Sequence, residues 1–519
     1  MEHLTNNTSN IKTNNMKENE EKADGTSRRD FVKQSAVAAA GFTIVPRFVL
    51  GKGYRAPSDT LYYASVGLGG KGTSDNAAFV ASGKAKPAFL CDVDQEYAAH
   101  VFNKYPDAKK YVDWREMFDK EHKNFDAVHC ATPDHTHAVV ATAAMSLKKH
   151  VYVQKPMAHD VYEARMMANM GHKYKVQTQM GNQGASSDGV RQMMEWYDAG
   201  LIGDVTEVWC WTDRPVWPQG SHQANTPQGL RWPKESTTPP STLNWDLWQG
   251  TAKARPYPIG TDQPGGVKVL PFNWRGWWDF GTGVLGDMGA HILHGPLKVL
   301  NLKYVDKVTT SIGQGGSLET GPASSFTTMT FPKTDKTSGP IKVHWLDGGM
   351  IPPRPEELDP AEHWGQGDGG MLFIGTKGKM TAGCYASRAR LLPVSRMDDL
   401  NVPEKFARVK NGTEGHYAQW VEACLAGYGN MQTSSPFEEA ALLTEAMLMC
   451  NLAIRGVNVP KMADANAAQV EGRRRRGAEY PARYIDLIYD AANLKVTNVD
   501  EVNQFVKRDY RQPWKLSGI

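Results

Sequence analysis

LYYASVGLGGKGTSDN, residues 61–76, carries an apolar run of β-favouring residues, Leu61 to Val66, straight into the turn Gly67-Leu68-Gly69-Gly70-Lys71-Gly72. A helical pattern, TSDNAAFVASG, follows at once. The spacing is G-x-G-x-x-G. Gly67 permits a tight turn out of the strand, Gly69 lets the backbone approach a diphosphate, and Gly72 lets helix and strand pack closely. A diphosphate on this turn meets the unpaired N–H groups and the positive end of the helix dipole. A chain with 49 glycines produces some G-x-G spacings by chance, so the surroundings carry the reading. A second apolar strand, KPAFLCD, ends in Asp92, twenty positions beyond Gly72. An acid there accepts hydrogen bonds from the adenosine ribose and favours NAD, with NADP the alternative.

Outward from this unit, strand and helix patterns alternate as far as residue 180. Apolar runs at 61–67, 86–91, 125–131, 149–153 and 176–180 are separated by helical patterns near 70–82, 94–104, 135–147 and 160–174. Such alternation predicts a parallel sheet covered by helices on both faces, with ligands at the carboxyl ends of the strands. Two segments fall at those ends. FDAVHCATPDHTH puts Thr132, Pro133, His135 and His137 past one strand, and KHVYVQKPMAH puts Gln154, Lys155 and Pro156 past the next.

With 519 residues, 40% of them hydrophobic and 22% charged, the chain has the composition of an ordinary globular protein of two or more domains. A net charge of +3 is too balanced for a nucleic-acid partner; the one dense basic run, Arg473 to Arg476, reads as a solvated loop or an interface patch. The six cysteines are scattered without a C-x-x-C, so no metal site is expected, and Cys91 and Cys130 read as buried free thiols. Residues 1–26 are polar and aperiodic. After them, Ser27-Arg28-Arg29-Asp30-Phe31-Val32-Lys33 precedes a short Ala-rich apolar segment, which resembles a twin-arginine export signal and is too short for a stable membrane span.

These motifs together resemble the glucose–fructose oxidoreductase and inositol dehydrogenase family (Gfo/Idh/MocA). Its pattern is a glycine loop, then T-P-x-x-x-H, then E-K-P at the end of the fifth strand. Here the matches are Gly67 to Gly72, Thr132 to His137, and Gln154-Lys155-Pro156, with glutamine in place of glutamate. Further on, NWRGWWDFGTGVLGDMGAHILH, residues 273–294, matches the family's D-x-G-x-H at Asp287, Gly289 and His291. At helical spacing i and i+4, the acid and the histidine share one face. The resemblance implies a catalytic set of Lys155, Asp287 and His291. His291 takes a hydroxyl proton, Asp287 orients it and favours the imidazolium, and Lys155 stabilises developing alkoxide. Expected cofactor contacts are Gly67, Gly69, Gly70, Gly72, Asp92, Thr132, Pro133, His135, His137, Gln154, Lys155 and Gln183. Trp274, Arg275 and His294 are the substrate-side candidates.

Past a helix near 187–199, closed by Gly200, VTEVWCWTD alternates as a half-buried strand. A Pro/Trp-rich excursion, 214–275, has little periodicity, and ten of the 15 tryptophans fall between Trp196 and Trp278. These indoles either stabilise the insertion or an interface, or stack on sugar rings; the residues leave both readings open. From about 300 to 390 strands with turn glycines dominate, and 415–456 contains two amphipathic helices. The expected organisation is a disordered tail with the signal (1–57), a Rossmann dinucleotide-binding domain (58–184), and an α+β substrate and oligomerisation domain with a large open mixed sheet (185–519). The expected activity is that of an exported, periplasmic NAD(P)-dependent oxidoreductase acting on a ring hydroxyl of a sugar or glycoside. Its cofactor is tightly bound and recycled, and the chain forms a homo-oligomer, dimer or tetramer. The rival readings are a redox-neutral NAD-dependent glycosidase working through a transient keto-sugar, and a non-catalytic sugar-binding protein.

Overall fold

The computed structural model describes residues 59–216, 228–260, 262–365, 367–462 and 478–518. The twin-arginine segment, the Arg473–Arg476 run and part of the Trp-rich excursion lie outside the described residues.

Six parallel strands form the first sheet: β1 (Leu61–Val66), β2 (Ala85–Cys91), β3 (Lys109–Tyr111), β4 (Ala127–Cys130), β5 (His150–Val153) and β6 (Thr178–Met180). Their spatial order is β3-β2-β1-β4-β5-β6, the doubly wound dinucleotide-binding order. The connecting helices are α1 (Lys71–Ala81), α2 (Ala99–Lys104), α3 (Trp114–Glu121), α4 (His137–Ser146) and α5 (Val161–Tyr174). α4 is Ala- and Val-rich and buried from His137 to Met145, so it lacks a polar face. α5 starts at a capping box in which Asp160 accepts from the Glu163 N–H and the Glu163 carboxylate accepts from the Asp160 N–H. The sequence pattern did not announce β3 and α3. KKYVDWREMFDKE holds no apolar run, and its short strand is recruited by pairing with β2.

α6 (Asp188–Asp198) begins at the Ser187 cap, and the chain turns at Gly200, φ 71°, before the second sheet. Among the described residues that sheet has nine strands. Its members are β7 (Val205–Trp211), β8 (Lys307–Ile312), β9 (Ser325–Phe331), β10 (Ile341–Leu346), β11 (Gly370–Gly375), β12 (Gly378–Gly383), β13 (Arg390–Leu392), β16 (Leu487–Asp490) and β17 (Lys495–Val496). The short pair β14 (Lys461–Met462) and β15 (Ala478–Glu479) stands apart from it. The order is β13-β12-β11-β7-β10-β9-β8-β16-β17, antiparallel except for β7 with β10. Two helices complete the framework, α7 (His416–Ala426) and α8 (Phe437–Gly456). α8 is buried over almost its whole length and packs against α5, β8 and the 285–289 turn, tying the second sheet to the first domain.

The described part of the Trp-rich excursion builds its own core. Trp245, Trp248, Trp274, Trp277 and Phe280 pack together with Leu243, Val267 and Val269. Main-chain bonds from Asn244 to Val93 and from Gln95 to Thr242 pin this core beside the carboxyl end of β2. Self-stabilisation therefore accounts for most of these indoles, while Trp248 and Trp274 also border the cleft described next.

Candidate active site

A cleft of about 1430 Å3 opens at the carboxyl ends of the first sheet's strands, between that sheet and the loops of the second domain. Ordinary small-ligand pockets are roughly 300–1,000 Å3, so there is room for a dinucleotide and a second molecule. At one end lies the glycine turn. Gly67 has φ 82°, and a Cβ there would sit 2.7 Å from the Ala131 main chain; one at Gly72 would meet the Gly67 carbonyl at 2.2 Å. Among the described residues no side chain caps the start of α1, which leaves that end open to an anion.

The other two features of the turn differ from expectation. A Cβ at Gly69 would lie 1.9 Å from the Tyr97 ring, so an aromatic side chain occupies the space reserved above for close approach of a diphosphate. Asp92 borders the cleft, but its Oδ2 accepts from the N–H groups of Leu68 (2.7 Å) and Gly69 (3.4 Å), and its Oδ1 from Asp94 N–H (2.9 Å). It clamps the turn to the end of β2 as well as facing the adenosine end. Burial raises its pKa above the usual carboxylate range, against those three N–H donors. Trp114 and Trp514 wall the same end, 6.2 Å apart. Trp514 arrives from the C-terminal tail, which Arg508 anchors on the Glu163 carboxylate (2.7 Å) and the His135 carbonyl (2.6 Å).

At the far end Lys155, Asp287 and His291 meet. Lys155 Nζ donates to Asp287 Oδ1 at 2.8 Å and to the Asp287 main-chain carbonyl. Arg275 Nε lies 3.4 Å from the same carboxylate oxygen, its guanidinium 4.3 Å from the Trp274 ring centre. The segment Leu285–Gly289 is a π-helical turn and His291 sits in the α-helical turn after it. This i→i+5 winding, frequent at functional sites, replaces the regular i, i+4 face, and the carboxylate goes to Lys155. His291 is buried against the Tyr385 ring, centroids 4.5 Å apart, and its Nδ1 has no hydrogen-bond partner among the described residues. Burial, then the Lys155 ammonium, push its pKa well below the usual 6.5, against the opposing pull of Asp287. The ring is therefore neutral, not the imidazolium anticipated from an adjacent acid.

Thr132, Pro133, Gln154 and Gln183 line the cleft. With its amide oxygen toward the donors, Gln183 accepts from Lys71 Nζ (3.1 Å) and Tyr417 OH (2.6 Å). His135, His137 and His294 do not border it. The ring nitrogens of His135 face the carbonyls of Phe280 and Trp248, and those of His137 lie 2.8 Å from the carbonyls of Pro156 and Thr132. They brace the loop that Thr132 and Pro133 present. His294 is buried behind His291, where burial and the nearby cations Lys298 and Arg191 lower its pKa well below 6.5.

Sequence reasoning passed over Lys71, Asp134, Tyr385 and Tyr417. Asp134 Oδ2 accepts from the Thr282 N–H and hydroxyl, fastening the glycine-rich bend before Asp287 to the first domain. Tyr385 and Ala386 hold left-handed φ values of 61° and 56°, strain that is typical of functional loops. Of these, only Lys71, inside the glycine motif, and Asp134, inside the Thr132–His137 segment, carried a local signal.

A profile described as oxidoreductase family, NAD-binding Rossmann fold (Gfo/Idh/MocA) matches residues 61–182, and the profile of that family's C-terminal alpha/beta domain matches residues 230–312. The levoglucosan dehydrogenase of Pseudarthrobacter phenanthrenivorans is 31% identical over 78 residues, a match spanning 15% of this chain and 20% of that enzyme. Among solved structures, the WlbA dehydrogenase of Chromobacterium violaceum, in complex with NADH and UDP-GlcNAcA, is similar with a TM-score of 0.51 at 14% identity, over 78% of this chain and 96% of that one. A levoglucosan dehydrogenase in complex with NADH gives 0.49 at 14% identity, over 75% and 97%. The first of these structures supports the fold alone.

Proposed function

We propose that this chain, which belongs to the Gfo/Idh/MocA oxidoreductase family, is an NAD-dependent enzyme that oxidises a ring hydroxyl of a carbohydrate or glycoside, or reduces the ketone. One observation carries this reading: an ammonium at the end of β5 and an imidazole 136 positions later, His291, border the same cleft as the glycine turn. The uncapped start of α1 suits a diphosphate once the exposed Tyr97 ring turns off Gly69, and Asp92, which borders the cleft while it clamps the turn, suits a ribose, so with that one side-chain rotation the residues present fit a dinucleotide. Bound there, the nicotinamide would accept or return the hydride. His291, neutral and at the cleft wall, takes the hydroxyl proton. Lys155, held on Asp287, donates to the developing alkoxide without itself having to be deprotonated. Arg275 and Trp274 form the sugar-side wall, and Tyr385 shields His291 from water.

Export through the twin-arginine route to the periplasm is part of the same proposal. Ser27 to Lys33 supports it, as does the chemistry: that route carries folded proteins, so a nucleotide acquired inside can travel bound and be recycled by a second sugar, with ping-pong kinetics. A homo-oligomer, dimer or tetramer, is supported by the stack of Trp209, half-exposed Phe326 and His344 on the outer face of the second sheet. Mass spectrometry of nucleotide released from purified protein tests the core of the reading. Stoichiometric NAD(H), with reduction by sugars but no hydrolysis of chromogenic glycosides, is expected. No nucleotide on release, and only micromolar or weaker NAD binding, would overturn it.

A further inference from the structure

Position 154 holds glutamine where the family pattern holds glutamate, and the structure contains a carboxylate that takes its place. Asp75, one turn into α1 and wholly buried under the glycine turn, points at the end of β5. Its Oδ2 accepts from Gln154 Nε2 at 2.6 Å and lies 3.1 Å from His129 Nε2, and its Oδ1 pairs with Lys71 Nζ at 3.0 Å. The amide oxygen of Gln154 accepts from the Lys155 N–H at 3.2 Å. Gly181 closes the other side: a Cβ there would sit 2.6 Å from the Gln154 amide, so that group has nowhere to retreat. A glutamate at 154 would set two carboxylates against each other at this contact. An amide donates to Asp75 and accepts from Lys155 whatever the pH, whereas a glutamate does both only when protonated.

We infer that the negative charge the family pattern places at position 154 resides in this chain at Asp75, which acts as a positioning residue for both ammonium groups of the cleft. Through Gln154 it fixes the main chain of Lys155. Directly, it holds Lys71, whose Nζ also donates to Tyr417 OH at 2.7 Å. The charged and titratable groups facing Asp75 are Lys71 on α1, His129 on β4, Tyr63 on β1, Tyr152 on β5, and His416 and Tyr417 on α7. Burial works against the charge, yet His129, Lys71 and Gln154 keep the carboxyl below its usual value. The role of Lys155 in turnover rests on the function proposed above; the charge relocation itself does not.

The test is a four-cornered comparison in the full chain: wild type, Gln154→Glu, Asp75→Asn, and the double variant that moves the acid back to 154. Each is read by thermal melting, by NADH affinity from nucleotide fluorescence, and by kcat and KM. Gln154→Glu retains Asp75 and Lys71, so two carboxylates share one site and cannot both ionise. Its NADH affinity or kcat should fall on the order of tenfold or more, recover as acid protonates the pair, and leave sugar KM little changed. The double variant should return to within roughly threefold of wild type. Wild-type behaviour of Gln154→Glu, or a double variant no better than the two single losses combined, overturns the relocation. Melting shifts with unchanged NADH affinity, kcat and pH profile overturn the positioning role. If wild-type protein binds no nucleotide, the proposed function fails, and the melting cycle alone still decides where the charge belongs.

Discussion

Lys155→Met keeps most of the side-chain stem and removes only the ammonium. In the native protein the Lys155 side chain is largely covered, 14% exposed, and that of its partner Asp287 is 2% exposed. Stranding a buried partner usually costs roughly 3–5 kcal/mol. Here that is an upper bound, because Arg275 remains 3.4 Å from the carboxylate and the site borders a solvent-filled cleft. The loss in turnover should be larger than the loss in stability explains. Removing a preorganised donor aimed at developing negative charge costs roughly 10²–10³ in kcat. A second effect has a definite sign. The Lys155 ammonium is one cause of the depressed His291 pKa, so its removal raises that pKa toward 6.5. Activity that needs neutral His291 then loses its acid limb at a higher pH than wild type does. Nicotinamide absorbance under single-turnover conditions reports kcat from pH 5 to 8, and melting curves report stability. Lys155→Arg keeps the charge and should retain the wild-type acid limb even where the geometry suffers. Wild-type turnover by Lys155→Met on a melting-competent protein, or an unmoved acid limb, would refute the assignment of Lys155 to the hydroxyl and its coupling to His291.

Gly67→Ala forces a Cβ to 2.7 Å from the Ala131 main chain at φ 82°; it should abolish nucleotide binding and lower stability by about 1–3 kcal/mol, read by NADH titration and melting. Trp514→Ala opens the wall at the Asp92 end, and because an aromatic platform under a base contributes about 1–3 kcal/mol, nucleotide should dissociate roughly tenfold faster while kcat at saturation holds. Acid should unfold the protein early. Burial pushes His135 down to about 3 and His416 down to about 4, so the unfolded chain binds more protons below its own histidine pKa near 6.5. Stability is then full above pH 6.5 and falls as pH drops, by up to about 1.4 kcal/mol per pH unit for each such histidine; denaturant midpoints at pH 7, 6 and 5 check this.

Much of the architecture was legible along the chain because its causes are local. Alternating apolar strands and helices require a parallel sheet, and the spacing of Gly67 and Gly72 is demanded by a turn whose own backbone sets it. Lys155, Asp287 and His291 could be named because each lies in a short motif. Their relations could not. A helical repeat predicts that Asp287 serves His291, whereas the π turn delivers the carboxylate to a lysine 132 residues away, and the imidazole stays neutral by burial. The exchange of charge between Asp75 and Gln154 spans 79 residues, and Trp514 reaches Trp114 from the opposite end of the chain. His135 and His137 matched a motif yet brace the loop from behind, since a motif records which residues recur and not which way a ring turns. Protonation state, hydrogen-bond direction and cleft shape depend on the dielectric and the neighbours that packing supplies. Those neighbours come from distant segments, so these properties belong to the folded chain, whereas the alternation of strands and helices and the glycine turn were already written in the linear one.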